Sequence, residues 1–161
     1  MLPFVPHDIG RNAQPATRDT SMRILIWHLD SFRSEVTEKG RSPLREEVAE
    51  KERVTEAQES LLVYAACEKS DEARVEVVVS KCAEEITKLA RQLKVNTVIL
   101  HSFAHLFVEL AAPSIALDIL KGVQAQLTAD GFTVLRTPFG WFNTLELKAK
   151  GHPLSRVARV I

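Results

Sequence analysis

The chain is poor in the residues that usually announce covalent or cofactor chemistry. Cysteine occurs only as Cys67 and Cys82, and neither has a CxxC partner. Two such thiols make no disulfide framework and point to no oxidising compartment. The six glycines are scattered, with no GxGxxG or GxxxxGK spacing to cradle a phosphate. No HExxH and no Cys/His cluster is present. His101 and His105 are the one closely spaced histidine pair, too few for a zinc site, so neither a metal nor a cofactor is expected. Neither Ser102 nor Ser114 lies in a strained GxSxG-type turn that would expose a nucleophile.

Net charge is also missing. Lysine and arginine number 21, and so do aspartate and glutamate. A balanced chain gains little non-specific attraction to nucleic acid, which comes from basic groups displacing counterions. Any RNA contact must be local, and the C-terminal end is the candidate. From Leu147 onward Lys148, Lys150, Arg156 and Arg159 occur without an acid. That stretch reads either as a solvated basic edge or as an RNA contact. No apolar run approaches the roughly 18–20 residues that span a bilayer, and Met1–Ser21 lacks the apolar centre of a signal peptide. The expectation is a cytoplasmic protein with no membrane partner.

What is present is an ordinary globular composition, 45% hydrophobic and 26% charged over 161 residues, enough for one domain with a real core. Residues 1–21, with Pro3, Pro6, Gly10 and Pro15, read as a flexible extension or leader. The domain is expected over 22–161. Arg23–Trp27 reads as a buried strand, and a second strand is expected from Phe32 to Val36. The charged stretch Glu38–Glu59 reads as a connection with one short helix around Leu44–Lys51. Leu61–Ala66 is an apolar run of strand length.

The period then changes. Val75, Val78, Val79, Cys82, Ile86, Leu89, Ala90 and Leu93 recur at three- and four-residue spacings and predict a helix, capped by Ser70 or Asp71. Asn96–Leu100 predicts a strand. A second helix is expected from Pro113, with Ile115, Ile119, Val123 and Leu127 on one face and Asp130-Gly131 ending it. Phe132–Leu135 and Trp141–Ala149 are expected as the last strands. The fold class is therefore α/β: a single domain, one sheet packed with two long helices.

His28, His101, His105 and His152 fall near the ends of these expected strands, where loops converge on pockets. Two local clusters stand out. Ser102-Phe103-Ala104-His105-Leu106 follows a strand, and Thr137-Pro138-Phe139-Gly140-Trp141-Phe142 is a turn entering the last strand. Each reads as core packing or as a ligand wall.

Phe103-Ala104-His105-Leu106, Glu109-Leu110-Ala111, Pro113–Leu120, Pro138-Phe139-Gly140 and Lys150-Gly151-His152-Pro153-Leu154 occur in one order over 22–161. Together with the opening Met22-Arg23-Ile24-Leu25, this series resembles the N-terminal editing domain of archaeal-type threonyl-tRNA synthetases. The resemblance implies a D-aminoacyl-tRNA deacylase-like fold with a mixed sheet, a homodimer with its pocket at the subunit interface, and tRNA(Thr) bound by its 3′ acceptor end. The catalytic domain or subunit of a synthetase is the other implied partner. It also implies proofreading. A site built for threonine rejects serine weakly, since a missing methyl group is worth about 1–3 kcal/mol, so a second pocket accepts serine, excludes threonine and hydrolyses the error.

Carried over by position, Ser102, Phe103, Ala104 and His105 would line the pocket, with Phe139, Gly140, Trp141, Phe142 and Asn143 opposite. Ala66 and Cys67 would form a further wall, and Arg156 would stand at its rim. Three positions depart from the resemblance. Asn143 stands where a lysine is expected, Arg156 where a glutamate is expected, and Phe142 where a tyrosine is common. The pocket is thereby stripped of its acid and base side chains. Either activity is lost, or catalysis relies on the terminal adenosine's 2′-hydroxyl, with His105 and Asn143 orienting groups rather than moving protons.

Two other readings follow. One is a non-catalytic module binding the acceptor end or a synthetase subunit. The other is a deacylase for D-aminoacyl-tRNA, against which stands the missing Gly-Pro element: Pro113, Pro138 and Pro153 follow alanine, threonine and histidine.

Overall fold

A computed structural model describes residues 21–104 and 109–161. Of the expected N-terminal extension only Ser21 falls within them. Six strands and two long helices follow in the order β1 (Arg23–Lys39), β2 (Val54–Ala66), α1 (Val75–Leu93), β3 (Thr97–Ser102), α2 (Pro113–Ala129), β4 (Thr133–Arg136), β5 (Trp141–Ala149) and β6 (Arg156–Val160). The sheet is mixed, ordered β4-β3-β2-β1-β5, with β6 also pairing β1. β3 runs parallel to β2 and β4, whereas β1 is antiparallel to β2, β5 and β6. Each parallel step is made through a helix, which such crossovers require.

Both helices pack on one face of the sheet. Val78, Cys82 and Ile86 of α1, with Ile119, Leu120 and Val123 of α2, share a core with Ile24, Ile26, Leu61, Val63, Val98 and Leu100. The intervening strand residues point to the other face, where Leu62 and Ile99 form a smaller core with Leu29 and Phe32. The helices begin and end close to where the sequence places them. α2 starts at Pro113 and is followed by Gly131 at φ 94°, a left-handed position that glycine takes at little cost.

Several expectations are corrected. The two strands expected at 23–27 and 32–36 are one, β1, and His28 lies inside it rather than at a strand end. The expected helix at 44–51 is reduced to a single 3-10 turn, Glu50–Glu52, and the second half of the charged stretch belongs to β2. Neither Ser70 nor Asp71 caps α1, which starts after Arg74 with no side-chain cap. Asp71 is instead fully buried. Its carboxylate accepts the Met22 N–H at 3.1 Å and the Glu68 N–H at 2.8 Å, and it pairs with Arg74 at 3.3 Å. β6 is an addition, short and basic, paired to the first half of β1.

β1 and β2 lose their alternation together at Asp30 and Glu59. Ile24 and Ile26 face the helices, but beyond the break Phe32 joins Leu29, and Ala57 joins Leu62, on the other side. The register with β5 shifts between Leu29 and Ser31, as a bulge requires. Glu59 takes φ 27°, an uncommon conformation for a residue with a side chain. Its carboxylate is held by His28 Nε2 at 2.6 Å and Lys150 Nζ at 2.8 Å, and Lys150 also reaches Asp30 at 2.6 Å.

The break allows the hairpin to curl. Arg136 is level with Leu100, Val63 and Ile26 across the sheet, whereas Trp141 lies opposite Lys39. A straight β1 would carry Lys39 about 43 Å beyond Ile26 at ~3.3 Å per residue. The step from Arg136 to Trp141 spans at most about 18 Å. The far halves of β1 and β2, with β5, therefore fold back over the face opposite the helices, where Leu147 and Ala149 meet the smaller core.

Candidate functional site

Parallel strands β2 and β3 end side by side, which brings the first group of predicted residues together. Ala65 lies opposite Ser102, and the Phe103 N–H donates to the Ala65 carbonyl at 2.9 Å. Ala66 and Cys67 follow at the end of β2, both buried, while Ala104 is exposed. The chain then returns across the same end. Ala111 donates its N–H to Cys67 O, and Lys69 donates to Glu109 O, each at 3.1 Å. Glu68 and Leu110 form an antiparallel bridge. Backbone groups from both strand ends thus build this rim, and Asp71 ties it to the start of β1. His105 lies outside the described residues.

Burial pushes the Cys67 thiol up to about 12, with nearby Asp71 adding to the rise. A thiol so protonated is not a nucleophile. His101, one residue before Ser102, is pushed down to about 4 by burial. It is neutral at ordinary pH, and its Nδ1 is 2.8 Å from Thr137 Oγ1.

That bond joins the second predicted group to the first. Thr137 also donates its N–H to Leu100 O at 3.1 Å, so the turn into β5 begins against the end of β3. Phe139 is buried, Gly140 takes φ 84°, and Phe142 is 46% exposed. Asn143 stands on β5 opposite Val36 of β1. Its amide donates to Ser34 Oγ at 2.6 Å and weakly to Thr144 O at 3.4 Å. Its amide nitrogen is thus spent within the sheet, and Oδ1 remains as an acceptor.

Arg156, on β6, pairs in register with Trp27 and lays its guanidinium over that indole, 5.4 Å from the ring centroid. Trp27 meets Tyr64 edge-on at 6.0 Å, and Tyr64 meets His101 at 5.6 Å and Phe103 at 5.3 Å. A row of aromatic rings therefore leads from Arg156 to the first cluster. Sequence reasoning singled out neither Trp27 nor Tyr64 for the site. Both sit in continuous apolar runs, residues 24–27 and 61–66, where no polar alternation tells one face of the sheet from the other.

The basic C-terminal stretch is largely neutralised from within. Lys150 pairs with Asp30 and Glu59, Lys148 with Asp30 at 3.6 Å, and Arg159 with Glu85 at 3.2 Å. These charges behave as an edge of the fold's own network. Among the described residues, no group of three or more His, Cys, Asp or Glu is arranged to hold a metal ion, and no helix is long and apolar enough to cross a membrane.

A mixed sheet with both helices on one face, and small residues at the paired ends of two parallel strands, defines an α/β domain with a backbone-built rim. The family model described as the archaea-specific editing domain of threonyl-tRNA synthetase matches residues 22–161. The chain belongs to that family. It is 37% identical over 140 residues to the threonine–tRNA ligase of Methanobrevibacter smithii, and 40% identical over 141 residues to those of Thermococcus onnurineus and Pyrococcus horikoshii. Each match covers 87% of this chain and only 22–23% of the ligase, so the chain spans under a quarter of those relatives.

Proposed function

We propose that this domain proofreads threonine tRNA by hydrolysing the ester of mischarged L-seryl-tRNA(Thr), with the acceptor end entering at the joined ends of β2 and β3. The observation that carries this reading is the convergence of Ala66, Cys67, Ser102 and Ala104 on one backbone-lined rim, within a chain matched to the editing family over 22–161. Small side chains at such a rim suit a small acyl group, and a fixed wall excludes one added methyl by overlap. Rejection of that kind exceeds what attractive contacts to a methyl group supply.

The chemistry proposed is substrate-assisted. The terminal 2′-hydroxyl positions the attacking water, backbone N–H groups stabilise charge developing on the ester's carbonyl oxygen, and His105 and Asn143 orient the substrate, Asn143 by accepting a substrate donor through Oδ1. Seryl-tRNA(Thr) is expected to lose serine, with threonyl-tRNA(Thr) retained and no metal added. A substrate carrying hydrogen in place of the 2′-hydroxyl is expected not to turn over. Full activity with that substrate would remove the 2′-hydroxyl from the mechanism.

A second reading is a non-catalytic module that binds the acceptor end. It is favoured by the commitment of Asn143 to Ser34 and of Arg156 to Trp27, both contacts internal to the fold. Release of neither amino acid by a folded chain that still binds the acceptor end would select it.

A further inference from the structure

Glu46 sits in the charged connection between β1 and β2. It is bonded far beyond what a solvated link needs. Its carboxylate takes both prongs of the Arg136 guanidinium, at 2.5 and 2.7 Å, and also accepts the Phe139 N–H at 2.8 Å. Its own N–H donates to Phe139 O at 3.1 Å, and its carbonyl accepts the Trp141 indole N–H at 2.9 Å. All these polar groups are spent on the turn that carries the second cluster and on Arg136, the last residue of β4 before it.

The surroundings leave the turn little alternative. Arg136 Nε donates to Gln124 of α2 at 3.2 Å, which braces the guanidinium from behind. The Gly40 N–H donates to Gly140 O at 2.9 Å. A Cβ on Gly140 would run into the Leu44 carbonyl and Arg45, so chain 40–46 lies directly on the turn. Burial works to raise the Glu46 carboxyl, but the hydrogen bonds from Arg136 and Phe139 outweigh it and hold it below the ordinary value. A two-pronged arginine–carboxylate pair fixes orientation as well as distance. A turn pinned in this way is held in place, not merely kept near.

We infer that Glu46 is a positioning residue for the proposed deacylation: through Arg136, Phe139 and Trp141 it sets the height of the Phe139–Phe142 wall against the end of β3. The inference rests on the reading of the site given above. Glu46 need not meet the substrate. Its effect falls on the geometry of the reacting complex, where a displacement of about 1 Å costs about a hundredfold in rate.

The test uses the full chain and two readouts, seryl-tRNA(Thr) hydrolysis and amide exchange at Phe139. Glu46→Gln keeps the shape and the backbone bonds but replaces the ion pair. Its kcat is expected to fall by about tenfold or more with KM changed by less than about threefold. Phe139 exchange is expected to quicken by about tenfold while amides in β2 and β3 keep their rates. Arg136→Lys, which retains charge but not the fork, should shift both readouts in the same direction and serves if Glu46→Gln does not fold.

Unchanged kcat in folded Glu46→Gln overturns the inference, whatever happens at Phe139. A lower kcat with unchanged Phe139 exchange overturns it as well, since Glu46 would then act by another route. Failure of the wild-type chain to release serine is a different result. It removes the reading of the site, and faster Phe139 exchange in the variant would then assign Glu46 to the turn but not to catalysis.

Discussion

Replacing Asp71 by asparagine tests whether a buried carboxylate, rather than apolar packing alone, holds the rim of the site together. Asp71 is 0% exposed and receives two backbone N–H groups, from Met22 and Glu68, besides Arg74. A carboxylate offers acceptors on both oxygens, whereas an amide offers one oxygen and presents donors on the other side. In Asp71→Asn, one backbone N–H therefore faces an NH2 group with no acceptor between them. Leaving a buried donor unmatched costs about 1–3 kcal/mol, and a bond to a charged acceptor is worth about 1.5–3 kcal/mol. The expected loss is about 3 kcal/mol, a large share of the ~5–15 kcal/mol that holds a typical domain folded.

Urea denaturation reads this directly. With a slope of about 2 kcal/mol/M, the midpoint should fall by about 1.5 M with the slope unchanged. Arg74→Met is the companion variant, because it removes the pair at 3.3 Å and an Arg74 bond to Ile161 O at 3.3 Å while leaving both backbone N–H groups on the carboxylate. Amides of Lys69 and Ala111, which close the rim onto Glu109 and Cys67, should lose protection in Asp71→Asn before those of the central strands. A midpoint shift under about 0.3 M would refute the reasoning, because Met22 and Glu68 would then be satisfied without the carboxylate.

His101 supplies a pH dependence. Its folded pKa is pushed from 6.5 down to about 4, so the unfolded chain binds the proton more readily. Stability is then full above pH 6.5 and falls as pH drops from there toward 4, by at most about 3 kcal/mol; urea midpoints at several pH values should show this in the wild type, and His101→Gln should flatten it between roughly pH 6.5 and 5. Cys67, with its thiol pushed up to about 12, should react with iodoacetamide at least about a hundredfold more slowly than a free thiol. Fast native labelling at Cys67 would contradict the burial assigned to it.

Much of the fold was legible where one period runs long enough. α1 and α2 keep their apolar faces from Val75 to Leu93 and from Ile115 to Leu127, and β5 spans the predicted Trp141–Ala149. Legibility failed where tertiary geometry resets the pattern. At Asp30 and Glu59 both strands change face, so β1 reads as two strands and the first half of β2 as a charged loop. β6 was missed because Arg156–Val160 is short, and of its five residues only Val157 is buried. Of the site, the strand-end cluster and the Pro-Phe-Gly turn could be seen locally. The contacts of Glu46 with that turn and of Trp27 and Tyr64 with Phe103's cluster could not, because they form from a distant connection or across the sheet.

The two departures at Asn143 and Arg156 bear on where a catalytic proton can go. An amide does not titrate and a guanidinium stays protonated, so neither residue serves as a base near neutral pH. His101 is a poor base, with its pKa pushed down to about 4 and its Nδ1 engaged with Thr137, and Cys67 is held as the thiol. Of the residues carried over for the site, that leaves His105, beside the substrate's own hydroxyl. They separate by kinetics. If the 2′-hydroxyl carries the water and His105 only orients, His105→Gln, which keeps hydrogen-bonding capacity, should lower kcat by no more than about tenfold. The pH–rate profile should keep its shape. If His105 is the base, the same change should cost about a hundred- to ten-thousandfold and abolish the acidic limb of the profile. The second result would mean that one histidine does the work of the missing acid–base pair, and substrate assistance would no longer be needed to explain activity.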